Sequence, residues 1–127
     1  MKLANHLNLQ GRVSLRHYDK HHNLLNEIIQ PNIITNVGRR FFAEKILDIT
    51  DSVTVDKIGI GDGTTSSSID DTELESAGAY GTSNYAYASI RFKRAVDDGD
   101  TKGFYVEAIF PDGVFGANTV SEIGLFT

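Results

Sequence analysis

Cysteine is missing from this 127-residue chain, and so is tryptophan. Without cysteine there is no disulfide framework and no thiolate nucleophile, so the fold must rest on packing or on neighbouring subunits. The lack of tryptophan counts against a sugar-stacking platform. No stretch approaches the roughly 20 apolar residues of a membrane-spanning helix. The N-terminus, Met-Lys-Leu-Ala-Asn-His, holds no apolar run of signal-peptide length. These absences predict a soluble protein made in a cytoplasm, with no membrane partner. A dense basic face is missing as well. Twelve basic residues stand against seventeen acidic ones, a formal charge of −5, which argues against nucleic-acid binding.

The charge that is present is uneven. The first 45 residues carry Lys2, Arg12, Arg16, Lys20, Arg39, Arg40 and Lys45 against Asp19, Glu27 and Glu44, and the remainder is strongly acidic. Ordinary solvated surface explains such a split, and so does head-to-tail steering of identical subunits. A chain of this length suits one domain, residues 1–127, with one modest core.

Along the chain, Gly11–Tyr18 alternates Val13 and Leu15 with Arg12, Ser14 and Arg16, the mark of a half-buried strand. Asp19–Asn23 reads as a turn, and Leu24–Ile29 returns as the second arm of a hairpin that Pro31 ends. Asn36–Leu47 is the one persuasive helix, with Asn36 as its N-cap and a stripe of Val37, Phe41, Phe42, Ile46 and Leu47 to pack it across a sheet. Val53–Ile60 is a strand whose alternation slips at Asp56-Lys57. Residues 61–84 form a long Gly/Ser/Thr/Asp-rich loop, of the kind that is functional or ordered by a partner. Tyr85–Val96, Gly103–Phe110 and Thr119–Phe126 then predict a three-strand meander, with Asp97-Asp-Gly-Asp100 and Pro111-Asp-Gly113 as turns. The expectation is therefore a mainly β chain: an antiparallel β-sandwich with one helix packed on it. Residues 1–50 supply the hairpin and helix, and residues 51–127 the meander with its long loop.

Candidate chemistry is thin. Gly59-Ile-Gly-Asp-Gly63 invites a phosphate-loop reading, but the lysine and the following helix are missing, so a structural turn is expected. His17, His21 and His22 flank the first turn, where metal ligation competes with plain solvent exposure and exposure is the better reading. Asp97, Asp98 and Asp100 fit a hairpin turn rather than a calcium loop. No paired carboxylates or nucleophile–base pattern stands out, so no enzyme, no cofactor and no metal are expected. Tyr80, Tyr85, Tyr87 and Tyr105 suit either an interface or cross-strand packing, with Tyr87 and Tyr105 on outward faces of neighbouring strands.

Four segments in order carry a resemblance: Ile58-Gly-Ile-Gly-Asp-Gly-Thr-Thr65, Asp71-Thr-Glu-Leu-Glu75, Val106-Glu-Ala-Ile-Phe-Pro111 and Ser121-Glu-Ile-Gly-Leu-Phe126. Together they resemble the N-terminal module of tailed-phage tail-collar fibre and baseplate-adaptor proteins, over roughly residues 53–127. Asn32-Ile-Ile-Thr-Asn-Val-Gly38 is similar to a segment of phage structural proteins that open with a hairpin. The resemblance implies a virion protein, made in a bacterial host, that binds other virion proteins and forms a ring or trimer of its own copies. Fibre proteins of this kind continue past the Leu-Phe closure to a receptor-binding tip. A chain stopping at Thr127 is therefore expected to act as an adaptor in tail, baseplate, collar or neck rather than to touch the receptor. A capsid-decorating protein is the alternative within the virion, and a carbohydrate-binding β-sandwich the alternative outside it. The interface is expected at Asp70, Asp71, Glu73 and Glu75 in the acidic loop and at the four tyrosines. Ile123, Leu125 and Phe126 of the final strand are expected in the core.

Overall fold

The computed structural model describes residues 9–49, 54–75, 87–110 and 120–127. The chain divides into two compact units, Met1–Leu47 with Ser67–Thr72, and Asp48–Ser66 with Glu73–Thr127. Val53, Tyr80, Tyr85 and the Pro111-Asp-Gly113 turn lie outside the described residues.

In the first unit, β1 (Gly11–Tyr18) pairs antiparallel with β2 (Leu24–Asn32). The turn between them is organised by Asp19. Its carboxylate accepts from the backbone N–H groups of His21 (2.8 Å) and Asn23 (2.9 Å) and from the Asn23 side chain (3.1 Å). Those bonds, led by the one from the Asn23 backbone, hold the Asp19 carboxyl below its ordinary pKa. The register slips between His17 and Tyr18, which moves Tyr18 opposite Leu24 and leaves Leu25 as a bulge.

Helix α1 (Asn36–Ile46) begins one residue differently from expectation. Its N-cap is Thr35, whose side chain accepts from the Gly38 N–H at 3.2 Å. Asn36 is the first helical residue, and it turns outward to bind Ser67–Thr72 instead. Its backbone N–H donates to the Ile69 carbonyl (2.7 Å) and its side chain donates to Asp70 (2.9 Å). That places a carboxylate at the positive end of the helix. Phe41 and Phe42 are half-buried and meet edge to face, with ring centroids 5.9 Å apart. No residue of α1 is fully buried.

In the second unit the β-branched Ile58 and Ile60 build β3 (Lys57–Gly61), which begins where the alternation slips. It is the central strand of a sheet ordered β4-β3-β7, with β4 at Tyr87–Ser89 and β7 at Glu122–Phe126, both antiparallel to it. β5 (Phe92–Asp98) and β6 (Thr101–Glu107) form a separate hairpin whose turn contains Gly99 at φ 55. Positive φ is what a tight hairpin turn asks of glycine.

Two expectations are overturned by this topology. The long strand 85–96 is broken at Ile90-Arg91, where Ile90 donates to the Asp56 carbonyl and Arg91 to the Glu107 carbonyl. The last strand does not continue a meander, because β7 pairs with β3 rather than with its predecessor β6. Tyr87 and Tyr105 consequently sit on different sheets, not on neighbouring strands.

The core of this unit centres on Ile60, which is 0% exposed and packed by Phe110, Val120 and Ile123. Phe126 is half-buried, while Leu125, expected inside, is exposed. Three antiparallel sheets and a single helix make the chain mainly β among the described residues. These pairings do not by themselves make two sheets stacked as a sandwich.

Candidate functional site

The glycine loop and the terminal strand, distant in sequence, meet through one side chain. In the β3–β7 register Gly61 lies opposite Glu122. The Glu122 carboxylate passes over the loop, accepting from the Gly63 N–H through Oε2 (2.9 Å) and from the Glu75 N–H through Oε1 (2.7 Å). Beside it, the Ser121 hydroxyl donates to the Gly63 carbonyl (2.6 Å) and the Ser121 N–H to the Gly61 carbonyl (3.0 Å).

The glycines follow from this crowding. A Cβ on Gly61 would run into Glu122 Oε2, and one on Gly63 would lie 2.5 Å from the same oxygen. The loop amide that a phosphate loop would offer to an anion is taken up by the chain's own carboxylate.

Glu75 continues the chain of bonds. Its carboxylate accepts from the Thr65 N–H (2.9 Å) and from the Thr65 hydroxyl (2.8 Å). These bonds, the backbone one foremost, hold its carboxyl below the ordinary glutamate pKa. Residues 61–65 and 73–75 are thus fastened to β7 by two carboxylates acting as backbone acceptors. Such an arrangement fixes the shape of the loop.

The expected interface residues within the described chain fall in four places. Asp70 accepts from Asn36, and Asp71 accepts from the Ser68 N–H at 2.8 Å, so both shape the strap that meets α1. Glu75 closes the glycine loop, and Glu73 beside it is exposed. Tyr87 stacks edge to face on Phe126, centroids 5.2 Å apart. Tyr105 makes a similar contact with Phe92 (6.2 Å), lies under the Arg94 guanidinium (5.3 Å), and donates its hydroxyl to Glu107 (3.0 Å). Arg91 pairs with that same Glu107 at 2.8 Å, and Arg91, Phe92 and Glu107 line a shallow, open depression of about 420 Å³. Tyr80 and Tyr85 are outside the described residues.

Sequence reasoning did not single out the outward face of the β1–β2 hairpin. Opposed residues share a face, so Arg12, Ser14, Arg16 and Tyr18 stand with Pro31, Ile29, Glu27 and Leu24. All eight are exposed. Arg16 donates to Glu27 at 2.9 Å. That bond raises the guanidinium pKa and, as the largest of its causes, lowers that of Glu27. The available signal was in β2 itself, where Leu24-Leu25 and Ile28-Ile29 put apolar residues on both faces instead of alternating.

His17, His21 and His22 are exposed, and among the described residues no group of three or more His, Asp or Glu side chains is placed to hold a metal. Among the same residues no helix is long and apolar enough to cross a membrane. Comparison of the chain with protein-family models, with curated proteins and with solved structures returned no match.

Proposed function

We propose that this chain is a structural component of a tailed-phage or prophage-like particle, an adaptor in the tail, baseplate, collar or neck that works through protein–protein contacts. One observation carries the reading. Of the four segments that resemble phage tail-collar modules, three meet in one core, through Ile60 of the first, Phe110 of the third and Ile123 of the fourth, and the second is tied to the fourth by the Glu75 N–H bond to Glu122. A signature kept together by packing and backbone bonds suits a module whose task is to hold a shape. Repeated in a ring or trimer, its modest surface contacts add up to a firm attachment. A capsid-decorating role uses the same mechanics.

A carbohydrate-binding module draws support from the depression beside Arg91, Phe92 and Glu107, where an aromatic ring adjoins charged hydrogen-bonding groups. The two readings separate cleanly. Immunogold electron microscopy of particles released from the source culture, with antibody raised against the recombinant protein, should label one position on a phage-like particle. Protein confined to the soluble fraction, with saturable glycan binding by the isolated chain, would replace the adaptor with the carbohydrate module.

A further inference from the structure

We infer that the outward face of the β1–β2 hairpin, carrying Arg12, Tyr18, Leu24 and Ile29, docks the acidic second unit of another copy of this chain. The inference deepens the adaptor reading by naming one partner, and it rests on that reading only for the purpose of the assembly.

The hairpin presents what a buried surface would. Tyr18, Leu24 and Ile29 are 46%, 50% and 58% exposed on a single face. A two-stranded hairpin is marginal in water unless a further strand or layer covers it. Tyrosine and arginine beside aliphatic side chains make up the usual composition of protein interfaces.

Charge selects the occupant. Unit one holds seven basic and five acidic residues, a net +2, and unit two holds five basic and twelve acidic, a net −7. Like units repel weakly or strongly, whereas the first unit of one copy attracts the second unit of the next. On the second unit, Asp98 and Asp100 flank Gly99 at the tip of the β5–β6 hairpin, both exposed, and offer acceptors for Arg12. Pairing of unlike surfaces is heterologous, so it closes into a ring or extends as a filament.

Sedimentation velocity on the full chain tests this. The wild type should self-associate with rising concentration, and about 0.5 M salt should weaken that association roughly tenfold by screening. Arg12→Glu should weaken it at low salt, and Ile29→Asp should abolish it, with circular dichroism unchanged because both positions are exposed. Asp98→Lys with Asp100→Lys should also dissociate, and mixing that variant with Arg12→Glu should restore association. A chain that stays monomeric at every concentration overturns the inference, as does self-association indifferent to these changes. A monomeric chain whose Ile29→Asp variant no longer joins particles would assign the face to a different virion protein, and would overturn it too. Self-association that persists without particle labelling overturns the adaptor reading alone.

Discussion

The loop around Glu122 and the hairpin β1–β2 use similar residue types to opposite ends. In the second unit, polar groups turn inward onto backbone N–H groups, glycines leave room for them, and Ile60 disappears beneath Phe110, Val120 and Ile123. In the first unit, charged and aliphatic side chains stand outward together, and β2 is exposed along almost its whole length. One region holds itself in shape. The other has residues whose natural complement is another surface.

Paired truncations should show the contrast most strongly. Ile60→Ala removes the one fully buried side chain among the described residues and should cost about 2–5 kcal/mol. Ile29→Ala, on the hairpin, should stay within about 0.5 kcal/mol. Urea denaturation of the two variants under dissociating conditions measures both, and similar losses would erase the distinction.

A smaller effect is expected from Glu122→Gln. The amide keeps one acceptor oxygen, but it loses the charge that strengthens both bonds and turns its NH₂ group toward a backbone donor. A loss of roughly 1–3 kcal/mol follows, with faster hydrogen exchange at the amides of Gly63 and Glu75. Unchanged exchange at both would detach Glu122 from the loop.

The smallest effect is a pH dependence. The folded-state pKa of Glu75 lies below its ordinary value of 4.5. Its stabilising bonds to Thr65 are therefore fully present above that value and are lost as the pH falls through the lowered one. Exchange protection of the Thr65 amide should decline in acid in the wild type, and Glu75→Gln should flatten the profile.

Local patterns are the legible part of this fold. Alternation in Gly11–Tyr18, the aspartate-led turn at Asp19, the helix after Thr35 and the Gly99 turn all depend on neighbours within a few residues, and each is readable from the chain. The glycines at 59–63 read as a turn, whereas Gly59 and Gly61 belong to β3 and only Gly63 lies in the loop beyond it. The reason for glycine at 61 and 63, the Glu122 carboxylate lying over them, is not readable, because it depends on which strand pairs with β3. The same long-range choice separates Tyr87 from Tyr105 and leaves Leu125 exposed, where the local pattern set the tyrosines on neighbouring strands and Leu125 in the core. A strand carries alternating faces wherever it pairs, so its pattern does not name its partner. Thr35 and Asn36 both make good caps, and the strap at Ile69-Asp70 claims Asn36.

The pairing of β3 with β7 has a consequence in time as well as in space. A ribosome delivers Lys57–Gly61 long before Glu122–Phe126, and nothing nearer in the described chain takes the β7 side of that central strand. Until residue 126 emerges, the Ile60 side chain lacks Ile123 and the glycine loop lacks Glu122. The second unit is thus set up to close late, at the slower pace of structures completed by distant contacts. The β1–β2 hairpin, built from neighbours, can begin to pair as soon as it leaves the exit tunnel, and gains its full stability only when a further surface covers it.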